Sequence, residues 1–416
     1  METNLKKKKP SGEALVPAIA GGTPASGEVI RYGKQYIDYA DIKAVSDVLR
    51  SPFLTCGPQI EALEKKLCQI TGAKYAVVAA NCTAALHIAC MAAGLGEGDE
   101  VITTPITFAA SANCARYVGA TVVFADINPE TYNIDPASVE AHITEKTKAI
   151  IPVHYTGQAV EHEALAKLCK EHHLIMIQDA AHAIGTRYNG IPVGSLPGAD
   201  MTCFSFHPVK TVTAGEGGAV TTNDPELYRK LLLARSHGIT HEMDQMEHPS
   251  DDPWYYEMQE LGYNYRMTDF QAALLSSQLN KLQLFSERRK AIVEKYNKAF
   301  AKLSGVIVQK EIPQSDTTRH LYILQLDLEK LTCTRREFFD ALKAENIVCQ
   351  VHYIPVYYFP YYEKLGYEKG LCPNAERLYE RILSLPLYYA LTDEQVDAVI
   401  LAVKKLVTYF AKKKKG

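Results

Sequence analysis

From Tyr75 onward, short β-branched and apolar runs alternate with stretches of helical pattern, and this alternation limits the fold more than any other feature. Residues 75–79, 101–104, 121–125, 149–153, 174–178 and 217–222 read as strands. Residues 83–93, 109–118, 163–172 and 225–236 carry the spacing of helices. Such β–α alternation predicts an α/β protein whose central sheet is mostly parallel and covered by helices on both faces. The stretch 269–303, rich in Ala, Leu, Gln, Lys and Arg, reads as one or two long helices. Past Gly305 the pattern changes. Strands are expected at 321–326 and 348–352 and helices at 335–344 and 393–410, which predicts a smaller C-terminal α/β domain. The expected organisation is a flexible N-terminal arm over 1–28, a large domain over 29–280 and the smaller domain over 281–416.

Composition excludes several classes of function. At 416 residues with 47% hydrophobic and 22% charged content, the chain is long enough and apolar enough for a sizeable core. A formal net charge of -3 gives nucleic acid no general electrostatic reason to bind. No apolar run is long enough to cross a bilayer, and no apolar stretch follows Lys6–Lys9 as a signal peptide requires. Neither nucleic acid nor membrane is therefore expected as a partner, and the cytoplasm is the default compartment. The ten cysteines are scattered without a C-x-x-C pair, and the thirteen histidines contain no H-E-x-x-H. No disulfide framework and no metal site are expected. The lysine run at 412–415 reads as a solvated helix end.

Open parallel sheets bind ligands outside the carboxyl ends of their strands, so functional residues are expected just past each strand. Four such places carry chemistry. Asn81-Cys82-Thr83 stands where a strand gives way to a helix, whose first N–H groups attract phosphate; alone, a plain helix cap explains it better. Asp179 ends an apolar strand, where a carboxylate either faces a buried cation or caps a helix. Lys210 follows Ser205-Phe206-His207-Pro208-Val209 and precedes Gly215-Glu216-Gly217-Gly218. A lysine among apolar and small residues loses charge by desolvation, and a neutral amine attacks an aldehyde. A surface lysine is the alternative, although its flanks are not those of a solvated face. Phe108 either stacks on a flat ring or packs in the core.

Together these residues resemble the DegT/DnrJ/EryC1/StrS family of sugar aminotransferases. The matching motifs are Asn81-Cys82-Thr83-Ala84-Ala85-Leu86, Pro105-Ile106-Thr107-Phe108, Asp179-Ala180-Ala181-His182-Ala183, Ser205 to Lys210 with Gly215 to Gly218, and Asn264-Tyr265-Arg266-Met267. The likeness runs from about Tyr32 to Val407. It implies a fold type I enzyme dependent on pyridoxal 5′-phosphate. Lys210 would hold that cofactor as a Schiff base and shuttle the proton, and Asp179 would pair with the pyridine nitrogen. Phe108 would stack on the ring, and Cys82, Thr83 and Ser205 would hold the phosphate. His182 would orient Asp179 or the cofactor. Asn264 would reach the phosphate from a neighbouring subunit, which implies a homodimer with shared sites. Tyr32, Leu54, Thr55, Arg266, Gln350, His352 and Tyr353 would line the substrate side, with His320 and Gln158 as further contacts.

A narrower likeness is to the branch that aminates C4 of a UDP-linked 4-keto-6-deoxy-N-acetylhexose from L-glutamate in pseudaminic acid synthesis. It rests on Leu54-Thr55-Cys56-Gly57, Arg235-Ser236-His237-Gly238, His320-Leu321-Tyr322 and the run Gln350 to Tyr357. Amination of a dTDP- or GDP-linked ketosugar, at C3 or C4, is the alternative. A desulfurase or decarboxylase on the same fold, or a non-catalytic sensor, fits less well, because Lys210 and Asp179 are both kept and no cysteine is singled out. The segment 241–260, with Trp254, reads either as a loop over the site or as a surface insertion.

Overall fold

The computed structural model describes residues 15–412. Its main sheet has seven strands: β1 (Tyr75–Ala79), β2 (Glu100–Thr103), β3 (Thr121–Phe124), β4 (Thr147–Ile151), β5 (Ile175–Asp179) and, after the short hairpin β6 (Arg187–Tyr188) and β7 (Ile191–Pro192), β8 (Met201–Ser205) and β9 (Gly218–Thr222). The spatial order is β1-β9-β8-β5-β4-β2-β3. Only β9 runs against its neighbours; the other four pairings are parallel. The carboxyl ends of β1, β2, β4, β5 and β8 therefore open on one edge.

Helices α1 (Tyr39–Leu49), α2 (Pro58–Thr71), α3 (Cys82–Ala92), α4 (Ala110–Tyr117), α5 (Pro136–Ala141), α6 (His162–His172) and α7 (Pro225–Arg235) connect and cover this sheet. Local chemistry sets their ends. Pro58, Pro136 and Pro225 open helices where no N–H partner is needed, and Asp135 and Asp224 cap the last two. β8 is buried at all five positions, as a strand covered on both faces must be.

The expected long helical stretch is two helices, α8 (Asp269–Leu279) and α9 (Leu282–Phe300). Leu282 and Phe285 of α9 pack with Met267, Leu275 and Leu279. Ile292, Val293, Tyr296 and Phe300 pack in a second cluster with Leu324 and Val403. That second cluster belongs to a small antiparallel sheet of β12 (Val306–Val308), β14 (Tyr322–Leu326) and β15 (Ile382–Leu385), covered by α10 (Arg335–Ala344) and α13 (Asp393–Phe410). Between them lie β10 (Ile239–Thr240) and β11 (Glu257–Met258), β13 (Ser315–Asp316), and the short helices α11 (Pro360–Glu363) and α12 (Pro373–Tyr379). The sequence boundary at 280/281 falls in the short link between α8 and α9.

Two expectations need correction. Residues 348–352 do not form a strand. Gln350 makes a single bridge to Ser384, and Pro355 soon follows, with no N–H to continue a ladder. The arm drawn over 1–28 is docked across its described part. Glu345 accepts the N–H groups of Ala18 at 2.7 Å and Ala25 at 2.6 Å, and Lys405, paired with Glu345 at 2.8 Å, donates to Thr23 O at 2.7 Å. Polar composition suggested freedom, but a buried ion pair in the small domain supplies the partners. Residues 1–14, including Lys6–Lys9, and 413–416 lie outside the described residues. Lys412 donates to Glu329 O at 2.8 Å.

Candidate active site

The site is assembled from strand ends. β5 stops at Asp179, which is 4% exposed. Its Oδ2 accepts from Ser111 Oγ at 2.6 Å and its Oδ1 from the N–H of Ala181 at 3.0 Å. Ser111 sits in the first turn of α4 and shares a 2.6 Å bond with Thr107 Oγ1. Burial pushes the Asp179 carboxyl up, while the bonds from Ser111 and Ala181 and the charge of Lys210 oppose that rise. The result is a buried carboxyl held in place by one hydrogen bond on each oxygen.

β8 stops at Ser205, and the chain then loops through Lys210 before returning as β9. The loop is closed by backbone bonds from Phe206 N to Gly217 O and from Ala214 N to Phe206 O, both 2.9 Å. Lys210 itself is half-buried. Burial pushes its ammonium down to about 8, with Cys82 and Asp179 pulling weakly the other way. About half of the amine is therefore neutral near pH 8, far more than for an ordinary lysine.

The phosphate cradle is the β1–α3 turn. Asn81 is extended and its Oδ1 takes the N–H of Ala84 at 2.9 Å. The first-turn N–H groups of Cys82 and Thr83 have no partner within the helix and point out of its positive end. The strand β9 presses on this turn at Gly218, where a Cβ would stand 2.4 Å from Asn81 O and 2.7 Å from Cys82 N. Only glycine permits that approach. Burial pushes the Cys82 thiol well up, so the sulfur is not a nucleophile here. Ser205, 6% exposed, ends the neighbouring strand. Phe108, at the mouth, is 64% exposed rather than packed in the core.

A cluster from both sheets forms the opposite wall. His182 Nε2 meets Tyr353 OH at 3.1 Å. The His182 ring lies 4.4 Å from that of His320. His352 Nδ1 meets Ser384 Oγ at 2.8 Å, its carbonyl accepts from Tyr155 OH, and its ring lies 5.4 Å from that of Tyr32. Phe108 meets Tyr353 edge-on at 6.4 Å. Burial pushes His352 down to about 4 and His182 well below the usual range, so both rings are neutral. Gly157 packs against this wall, since a Cβ there would stand 2.9 Å from His182 O and 3.1 Å from His320 N.

The structure thus gathers Lys210, Asp179, Cys82, Thr83, Phe108, Ser205, His182, Tyr32, His352 and Tyr353 at the strand-end edge and the wall facing it, while Gln350 joins only through its backbone bridge to Ser384 and its side chain is exposed. Leu54, Thr55, Asn264 and Arg266 share none of the hydrogen bonds that tie this wall together. Thr55 bridges Thr268, and Leu54 O accepts from Asp269 N at 2.9 Å. Asn264 is exposed and bridges Ser236, while Tyr265 O accepts from Ala80 N at 2.7 Å, which lays this segment beside the cradle. Gln158, expected as a contact, is committed to scaffold. Its amide bonds Thr131 O and Lys310 O, and its Oε1 accepts from Ile312 N at 3.0 Å. Ser111, Tyr155, Gly157 and Ser384 were not foreseen. Only Ser111 had a sequence signal, lying one helical turn after Thr107. The segment 241–256 is organised by Glu257, which accepts the N–H groups of Glu247 and His248 at 2.7 Å each, and its Trp254 is exposed. Among the described residues no group of three or more His, Cys, Asp or Glu is placed to hold a metal.

A buried carboxylate, an amine depressed by burial, a helix N-terminus with free N–H groups and an exposed aromatic face fit pyridoxal 5′-phosphate. The first would meet its ring nitrogen, the second its aldehyde, the third its phosphate and the fourth its ring face.

Comparison with known proteins points the same way. The model of the DegT/DnrJ/EryC1/StrS aminotransferase family matches residues 35–404. The UDP-4-amino-4,6-dideoxy-N-acetyl-beta-L-altrosamine transaminase of Campylobacter jejuni is 40% identical over 363 residues, 86% of this chain and 93% of that protein. Helicobacter pylori PseC, an aminotransferase involved in the biosynthesis of pseudoaminic acid, superposes with a TM-score of 0.84 at 34% identity, covering 92% of this chain and 100% of that one. The PLP-form of the putative sugar aminotransferase Spr1654 from Streptococcus pneumoniae superposes with a TM-score of 0.84 at 32% identity, covering 92% and 99%.

Proposed function

Because the chain belongs to the DegT/DnrJ/EryC1/StrS aminotransferase family and is a pyridoxal-phosphate-dependent sugar aminotransferase, we propose a specific reaction for it. It moves the amino group of L-glutamate to C4 of a UDP-linked 4-keto-6-deoxy-N-acetylhexose. The product is UDP-4-amino-4,6-dideoxy-N-acetyl-β-L-altrosamine. The observation that carries this choice of substrate is the 40% identity to the Campylobacter jejuni transaminase across nearly its whole length.

When bound, the cofactor supplies a carbonyl that accepts an amino group and a ring that withdraws electrons from the adjoining carbon. The chain does the rest. Lys210 Nζ anchors the cofactor between turnovers and, once displaced, moves the proton at the substrate carbon. Asp179 keeps a proton on the ring nitrogen, and Ser111 keeps Asp179 aimed. The N–H groups of Cys82 and Thr83, with the Ser205 hydroxyl, grip the phosphate, and Phe108 covers the ring. Tyr353, His352 and Tyr32 orient the sugar from the facing wall.

Asn264 completes the phosphate grip from a second copy, and the active form is a homodimer with shared sites. Support comes from the exposure of Asn264, which leaves its side chain open to a second copy. The cytoplasm suits the ten unpaired cysteines.

Incubation with cofactor, glutamate and a panel of UDP-, GDP- and dTDP-linked 4-ketosugars, read by product mass, tests the proposal. The UDP-linked N-acetyl ketosugar should gain the amine, with parallel double-reciprocal lines because both substrates use one site in turn. Amination of only dTDP- or GDP-linked sugars would replace this substrate with the alternative.

A further inference from the structure

Arg289 of α9 is 3% exposed. Its neighbour Arg288 is paired with Asp393 at 2.9 Å, whereas Arg289 forms no ion pair among the described residues. Arg289 Nη1 donates to His320 O at 3.2 Å and to Leu387 O at 2.9 Å, and its Nε has no partner. Burial pushes this guanidinium down to about 10. Burying a cation without a counter-ion is costly, and an apolar side chain would fill the same space at less cost. The two carbonyls give the reason for a guanidinium.

Each carbonyl belongs to a segment that lines the cleft. The His320 ring lies 4.4 Å from His182, which meets Tyr353 OH. Leu387 donates its N–H to Tyr32 O at 3.0 Å, and the Tyr32 ring lies 5.4 Å from His352. His352 in turn meets Ser384, in β15, which ends two residues before Leu387. One nitrogen of Arg289 therefore ties the segment behind His182 to the segment behind Tyr32. A lysine ammonium can also donate to two acceptors, but it rotates about a flexible stem, whereas the planar guanidinium holds the donor nitrogen in one orientation.

We infer that Arg289 is a positioning residue for the sugar-nucleotide subsite, joining its two walls through the main-chain carbonyls of His320 and Leu387. The inference rests on the reaction proposed above. It touches neither the phosphate cradle nor Asp179, so the glutamate half of the reaction is spared.

The test uses the full-length protein loaded with cofactor. Arg289→Met should raise the KM for the ketosugar and weaken calorimetric binding of UDP-N-acetylglucosamine, each about tenfold. The glutamate-driven change in cofactor absorbance should stay within about twofold in rate. Arg289→Lys should recover part of the loss. Equal losses in both halves, or unchanged sugar binding, overturn the inference. If Arg289→Met fails to fold, the same two measurements on Arg289→Lys decide. An unaltered protein that aminates no ketosugar overturns the reaction itself; an active one whose variants lose both halves together overturns only the role of Arg289.

Discussion

Ser111 Oγ donates to Asp179 Oδ2 across 2.6 Å, and a helix turn thereby fixes the buried carboxylate at the end of β5. The bond favours the ionised carboxylate against the pull of burial. Ser111→Ala should let the Asp179 carboxyl rise further and rotate. We expect cofactor affinity to fall about tenfold, corresponding to about 1.4 kcal/mol, with the fold unchanged. Equilibrium titration with pyridoxal 5′-phosphate measures this; an unchanged dissociation constant would remove Ser111 from the site.

The depressed Lys210 predicts a pH profile. Its amine is protonated below about 8 and free above. Capture of pyridoxal phosphate by the apoprotein, trapped at Lys210 with borohydride, should rise about tenfold per pH unit below that value and then level off. The unfolded chain holds the proton up to the ordinary lysine range, so apoprotein stability should also rise with pH from about 8 upward across that window. A capture rate still climbing at pH 10 would mean that the amine is solvated. Lys210→Ala should retain the cofactor non-covalently and lose turnover.

Gly218→Ala tests the cradle. The new Cβ would stand 2.4 Å from Asn81 O and 2.7 Å from Cys82 N, both backbone atoms that cannot swing aside. The turn and β9 must separate, at a cost of about 1–3 kcal/mol or more. Phosphate grip should weaken along with stability. Chemical denaturation and titration with pyridoxal phosphate report the two effects; a variant as stable and as tight-binding as the parent would show that the turn yields freely.

The buried Glu345–Lys405 pair predicts the behaviour of the amino-terminal segment. Glu345→Gln leaves the Lys405 charge without its counter-ion and loosens Ala18 and Ala25. A loss of about 3–5 kcal/mol is expected, with faster proteolysis of residues 15–28. The double substitution Glu345→Gln with Lys405→Met should cost less than the sum of the single changes. Additive losses would show that the pair is not coupled.

The strand ends were legible in the sequence because β-branched runs and helical spacing are local signals. They put Asp179, Ser205 and the β1–α3 turn on one sheet edge, and the flanks of Lys210 marked a desolvated amine. The resemblance supplied roles to these positions, and it also brought in Gln158, which the fold commits elsewhere. Local pattern over-read 348–352, where Gln350 bridges Ser384 and Val348 N donates to Ile30 O on another segment, so no continuous ladder forms.

What the sequence by itself determined is therefore the set of elements and the chemistry at their tips. Only the tertiary structure decided which distant side chains complete them. Ser111 meets Asp179 from 68 positions away, Tyr353 meets His182 from 171, and Glu345 holds Ala18 from 327. Propensity acts over a few residues and cannot encode such meetings. They arise when helices and sheets pack in one register, and a buried polar atom must then be satisfied by whatever that register brings near.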